Sequence, residues 1–274
     1  MMYESYWGLR EKPFRDDASG EFFFPAETHQ TAMLKLRYAI DNRHSAVLLL
    51  GPPGMGKSLL VRRLRQSLPE TFRPVIHLAY PFLTPAELPQ YIACEGGWIS
   101  PDAGSPATPV LLHALERGLR EVSRRGERAV VILEEAQLWT SGRYWETLRT
   151  LMNLPPAEES AWSFVISAQP EILPVLRSLP HLEERLTLRC RLKPFAPDET
   201  RRYIRHRLTA AGSTRDIFTE DAATLIHDLS GGIPRRIHRL CDLALFVGFA
   251  EKLDAIRPEH VEAVHEELTA VTVE

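Results

Sequence analysis

Read only as apolar and polar positions, the chain changes rhythm near residue 195. Before that point, short unbroken apolar runs alternate with segments whose apolar residues recur every three or four positions. AVLLL (46–50) is apolar throughout, as a strand buried on both faces requires; PVIHLA (74–79), AVVIL (129–133), WSFVISA (162–168) and LRCRL (188–192) read as four more strands. Between them, TPVLLHALERGLREVSRR and YWETLRTLMN carry helical spacing, and Thr28 stands where it caps a helix with Ala32, Met33, Leu36 and Ile40 on one face. Strand, helix, strand repetition predicts an α/β fold, a parallel five-stranded sheet with helices on both faces. After Pro197 the runs disappear. PDETRRYIRHRLTAAG, TEDAATLIHDLS, PRRIHRLCDLALFVGFA and RPEHVEAVHEEL each open on a cap or a first-turn proline and continue with helical periodicity, which predicts a small all-helical domain. The expected divisions are a polar-aromatic arm (1–27), an α/β domain (28–195) and the helical domain (196–274).

Composition narrows the function classes. With 274 residues, 44% hydrophobic and 25% charged, the chain can bury one large core and a satellite. Lys+Arg 33 against Asp+Glu 36 gives a net charge of -3, so no global basic field points to nucleic acid. Arginines cluster locally in RRLR (62–65), SRRGER (123–128) and RRYIRHR (201–207), which leaves a DNA-binding face open. In the last run Tyr203, Ile204 and Leu208 form an apolar face with the arginines outside, the pattern of a solvated helix surface. Cys94, Cys190 and Cys241 lie far apart without metal-ligand spacing, and no HExxH pair occurs, so neither a disulfide framework nor zinc is indicated. The N-terminus lacks a signal-peptide pattern and no apolar run spans a bilayer, which predicts a cytoplasmic protein that reaches the inner membrane only through a partner.

The first candidate chemistry follows the first strand. Gly51, Pro52, Pro53, Gly54, Met55, Gly56, Lys57 and Ser58 match GxxxxGK[ST], and the helical pattern that opens with Leu59 follows. Such a loop turns successive N–H groups inward around phosphate oxygens, Lys57 reaches the β and γ phosphates, and the Ser58 hydroxyl can ligate Mg²⁺. A second stretch, VILEEAQLW (131–139), ends an apolar strand in two adjacent carboxylates. Two buried like charges cost several kcal/mol unless a cation meets them. A nucleotide brings that cation: Glu134 takes the position at which P-loop enzymes usually place an Asp on Mg²⁺, and Glu135 can accept a proton from the attacking water. The extra methylene of Glu134 moves its carboxylate by about 1.5 Å, so ATP binding follows more directly than fast turnover.

Six stretches together carry a family likeness: the arm (Tyr3, Tyr6, Trp7, Gly8, Leu9, Pro13, Phe14), FFFP with HQ near residue 29, the phosphate loop, the EEAQ box, SAQPE (167–171) and SGGIPR (230–235). The chain resembles the AAA+ ATPase module of the ExeA/GspA general-secretion group. MshM-like pilus-biogenesis ATPases and the transposition ATPases TniB, TnsC and MuB are more distant. The resemblance implies a sheet with a helical lid, ATP and Mg²⁺ held between them, and assembly into a ring or helical filament. It also implies that Gln169 is a polar sensor of the γ-phosphate and that Arg185 faces the neighbouring subunit's nucleotide, with Arg189 and Arg191 as alternatives. Arg235 matches a second sensor, and Pro234, with Ile233, closes the adenine pocket. His29 and the arm either lie against adenine or pack on the sheet edge.

The partner implied is a secretion or pilus machine, or else a transposase together with duplex DNA on which the protein polymerises. A nucleotide-gated scaffold with little turnover is a third reading. Relatives often continue into a membrane helix and a peptidoglycan-binding domain, whereas this chain ends after the helical domain, so a tether is expected from a partner.

Overall fold

A computed structural model of the chain describes residues 3–15, 20–80, 82–154 and 161–270. Residues 1–2 and 16–19 of the arm and the last four of the helical domain therefore lie outside the described residues. The chain divides into two compact units, Thr28–Pro53 with Lys57–Leu192, and Met1–Glu27 with Gly54–Gly56 and Lys193–Glu274.

In the first of these, β1 (Ala46–Leu50), β2 (Val75–Leu78), β3 (Ala129–Leu133), β4 (Trp162–Ala168) and β5 (Leu186–Arg191) form one parallel sheet in the order β2-β3-β4-β1-β5. β1, β3 and β4 are buried at every position, which explains their unbroken apolar runs. The edge strand β5 buries only alternate positions, Leu186 and Cys190 among them. It starts two residues before the expected 188 because an edge strand needs one apolar face, and Leu186 supplies it. Around the sheet lie α1 (Glu27–Asp41), α2 (Lys57–Ser67), α3 (Glu87–Glu95), α4 (Thr108–Arg124) and α5 (Gly142–Met152). α4 buries Leu111, Ala114, Leu115, Gly118, Leu119 and Val122, a spacing that repeats on one helical face. The expected cap at Thr28 is corrected: α1 begins at Glu27, and the Thr28 hydroxyl donates to the Arg191 carbonyl at 3.4 Å.

The second unit contains α6 (Pro197–Ala210), α7 (Glu220–Ser230), α8 (Pro234–Ala250) and α9 (Pro258–Ala270). Their starts follow from the sequence. Pro197, Pro234 and Pro258 occupy first-turn positions where no N–H is needed, and the Thr219 side chain accepts from the Ala222 N–H at 3.2 Å. The arm belongs to this unit's core. Trp7, 1% exposed, donates its indole N–H to the Leu245 carbonyl at 2.9 Å, Tyr6 donates to the Leu253 carbonyl, and Tyr3 donates to Asp242. Gly248 makes room for this: a Cβ there would stand 2.7 Å from the Trp7 ring. The arginines of α6 do not all face solvent. Arg207 is 1% exposed and donates to the carbonyls of Pro13, Arg15 and Phe22, because the arm's irregular backbone has acceptors that no strand or helix satisfies.

Candidate functional site

Parallel register brings the candidate residues to one end of the sheet. Leu50 lies opposite Ala168 and Leu133 opposite Ile166, so the segments that leave β1, β3 and β4 emerge together at their carboxyl ends. β1's chain neighbour β2 lies at the far edge, so strand order reverses here, which is where open α/β sheets bind ligands.

The loop after β1 is anchored by the Gly51 N–H, which donates to the Ala168 carbonyl at 3.3 Å. Gly54 and Gly56 have φ of +79° and +85°, a backbone region that L side chains rarely enter, and this reversal turns the chain into the first turn of α2. Gly54–Gly56 groups with the helical unit, where the Arg235 N–H donates to the Gly54 carbonyl at 3.2 Å and a Cβ on Gly54 would meet the Arg235 Cβ at 2.7 Å. Pro234 stands just before it, at the start of α8. Lys57 is 5% exposed and its ammonium donates to the carbonyls of Gly51 at 2.8 Å and Pro52 at 3.2 Å. A buried cation is thereby held over its own loop, at the positive end of a helix. Met55 is fully buried, Leu59 partly buried, and Ser58 exposed.

The acid pair divides between two environments. Glu134, 5% exposed, continues the β2–β3 ladder by donating its N–H to the Leu78 carbonyl. Its Oε1 lies 2.7 Å from His77 Nε2, while its Oε2 is buried without a hydrogen-bond partner. Glu135 has φ +53°, an uncommon conformation for a residue with a side chain, and its Oε2 accepts from Gln137 Nε2 at 2.6 Å and from Gln169 Nε2 at 3.4 Å. Gln137 in turn accepts from the Gln169 backbone N–H at 3.0 Å, closing a ring of three residues. The structure thus brings Glu135 and Gln169 together. It adds two residues that sequence reasoning missed: Gln137, for which the EEAQ box was the available signal, and His77, which a strand pattern reads as an interruption.

Arg185 follows the short helical turn Pro180–Glu183, and its side chain has no hydrogen-bond or ion-pair partner among the described residues. Of the alternatives, Arg189 is engaged by Glu183 and Arg191 is exposed on β5. His29 is buried at 4% exposure in α1.

Whether the residues fit a divalent cation is decided by Glu134. A buried carboxylate oxygen without a donor is costly, and a metal ion removes that cost. Among the described residues no group of three or more His, Cys, Asp or Glu could hold a metal ion unaided. One carboxylate and one hydroxyl suit Mg²⁺, which keeps waters and takes the rest of its shell from phosphate oxygens. The same residues thus fit a metal that arrives with a nucleotide. No described helix is long and apolar enough to cross a membrane.

Comparison with known proteins agrees with this geometry. The sequence profile of the family described as AAA domain matches residues 40–176. Over 251 residues the chain is 35% identical to General secretion pathway protein A of Aeromonas hydrophila, covering 91% of this chain and 45% of that protein. The chain therefore spans less than half of that relative's length. Among solved structures, Aeropyrum pernix ORC2 with ADPNP and ADP superposes with a TM-score of 0.68 at 16% identity, covering 95% of this chain and 72% of that one. Drosophila ORC bound to DNA gives 0.68 at 15% identity, covering 98% and 66%. The Holliday junction branch migration motor RuvB of Thermotoga maritima gives 0.55 at 19%, covering 93% and 73%. At these identities the structural likeness establishes the fold.

Proposed function

This chain belongs to the AAA domain family and is an ATPase that binds nucleotide, and from that premise we propose that it holds ATP with Mg²⁺ at the carboxyl ends of β1, β3 and β4 and uses nucleotide state to control its own assembly. The partner complex so assembled or remodelled is one of a secretion or pilus machine. The 35% identity to General secretion pathway protein A supports that class of partner. The observation that carries the site is the buried, unpartnered Oε2 of Glu134 at the same sheet end as the glycine loop and its buried Lys57.

In this reading the loop amides and Lys57 bind the β and γ phosphates, and Ser58 and Glu134 hold the metal ion. Mg²⁺ neutralises charge that develops on the phosphoryl oxygens. Glu135 polarises the attacking water, and Gln137 and Gln169 aim its carboxylate, so a change at the γ-phosphate reaches Glu135 through Gln169. Arg235, whose backbone is tied to Gly54, senses the γ-phosphate, and Arg185 completes the site of an adjacent copy in a ring or filament. Turnover is slow in the free protein, because the trans arginine is supplied only on assembly.

The test is Lys57→Ala, followed by light scattering with ATP and Mg²⁺. We expect nucleotide binding and nucleotide-dependent oligomers both to disappear, and assembly indistinguishable from the unaltered protein overturns the reading. Titration with duplex DNA and a non-hydrolysable ATP analogue across a salt series separates the partner classes. Tight binding that falls steeply with salt replaces the secretion reading with one of polymerisation on DNA. Assembly without phosphate release under any condition replaces it with a nucleotide-gated scaffold.

A further inference from the structure

Glu134 is served by two residues that the nucleotide reading leaves unused. His77 pairs with Ile132 across β2 and β3, so Glu134, two residues beyond Ile132, projects from the same face of the sheet. The glutamate side chain reaches back along that face, and its Oε1 meets His77 Nε2 at 2.7 Å. On the other side of the imidazole, Nδ1 lies 2.9 Å from an Arg65 Nη1 of α2. A guanidinium can only donate, so Nδ1 must be the acceptor. The ring proton is then on Nε2, and that N–H donates to Glu134 Oε1. Arg65 thereby fixes the tautomer, His77 fixes the carboxylate, and Oε2 is the one oxygen left buried and without a donor. The Tyr91 hydroxyl adds a further tie by donating to the His77 carbonyl at 3.1 Å.

The longer side chain at 134 acquires a reason here. A methylene shorter, the carboxylate would stand back from His77 Nε2 by about 1.5 Å and lose the 2.7 Å contact. We propose that His77, oriented by Arg65, is a positioning residue that holds one oxygen of Glu134 so that the other ligates the divalent cation of the bound nucleotide. The proposal deepens the reading of Glu134 as the metal ligand and rests on it. Hydrogen-bond partners of metal ligands, when removed, typically reduce metal affinity about 10- to 100-fold.

The experiment measures Mn²⁺ binding by electron paramagnetic resonance in the presence of the β,γ-imido analogue of ATP, alongside binding of that analogue in EDTA. His77→Ala is expected to weaken Mn²⁺ about 10-fold or more while leaving metal-free nucleotide affinity within about twofold. His77→Gln, whose amide can donate from nearly the same place, recovers most of the loss. Arg65→Ala, a change at an exposed position, lies between and serves if His77→Ala is poorly folded. In a Glu134→Gln background the His77 substitution has no further effect. Mn²⁺ affinity unchanged in both His77→Ala and Arg65→Ala, or an equal loss of nucleotide in EDTA, overturns the positioning role. Mn²⁺ affinity unchanged in Glu134→Gln overturns instead the assignment of Glu134 as ligand, and His77 with it.

Discussion

At the scale of single residues, the acid pair shows how alike two adjacent glutamates look in a sequence and how differently they are placed. Glu134 is dry, with one oxygen on His77, whereas Glu135 is partly exposed and held by two glutamines. A carboxylate held by two amides loses rotational freedom, so Gln137 should matter to turnover rather than to binding. We expect Gln137→Ala to lower kcat by about tenfold, a fraction of the effect of a general base itself, with nucleotide affinity within about twofold. Steady-state phosphate release beside equilibrium nucleotide binding checks this, and parallel losses in both would assign Gln137 to binding. The residues proposed to hold phosphate and metal, Gly51 to Ser58 and the two glutamates, can be picked out in the sequence because each set forms a local motif. His77 cannot, since its partner Glu134 lies 57 positions away and only strand pairing makes them neighbours.

At the scale of elements, apolar pattern located the strands, because strands buried on both faces are apolar throughout in β1 and β3 and interrupted only by small serines in β4. Arginine was the misleading residue type. Each of the three basic runs turns one arginine to a structural task. Arg65 donates to His77, Arg128 is 6% exposed and donates to Ser163 Oγ and the Trp162 carbonyl, and Arg207 is buried among the arm's carbonyls. Burial lowers the Arg128 pKa to about 10, with Arg43 adding to the effect, so this guanidinium stays charged in neutral solution. Periodicity places such residues on a face without saying what approaches that face. The arm's attachment rests heavily on Arg207. Arg207→Leu removes a buried donor shared by three carbonyls and should destabilise the helical unit by about 3 kcal/mol or more. Hydrogen exchange should show the loss first in residues 3–15, and an arm that stays as protected as before would refute the role.

At the scale of the whole molecule, two cores of different make-up stand in one chain, one strand-centred and one purely helical with the arm built in. Two such units need not unfold together, and acid should distinguish them. His238, packed near Phe14, Tyr203 and Arg207, has its pKa lowered from 6.5 to about 3, by burial first and by the Arg207 charge second. Between those values the unfolded chain binds a proton that the folded unit does not. Stability of the helical unit is therefore complete above about pH 6.5 and falls as pH drops toward 3, by at most about 1.4 kcal/mol per pH unit. Calorimetry from pH 7 to 4 should show the helical unit's transition moving down, and His238→Gln should flatten that dependence; a slope unchanged by the substitution would remove His238 as its source. Pattern along the chain was enough to place the strands, most of the helices and the glycine loop, though not the helix Glu87–Glu95, because hydrophobic period and backbone chemistry act over a few residues. Only the tertiary structure decided which oxygen of Glu134 is left unpaired, where Arg207 points and that Trp7 fills the helical core, because those outcomes depend on burial and pairing between segments far apart along the chain.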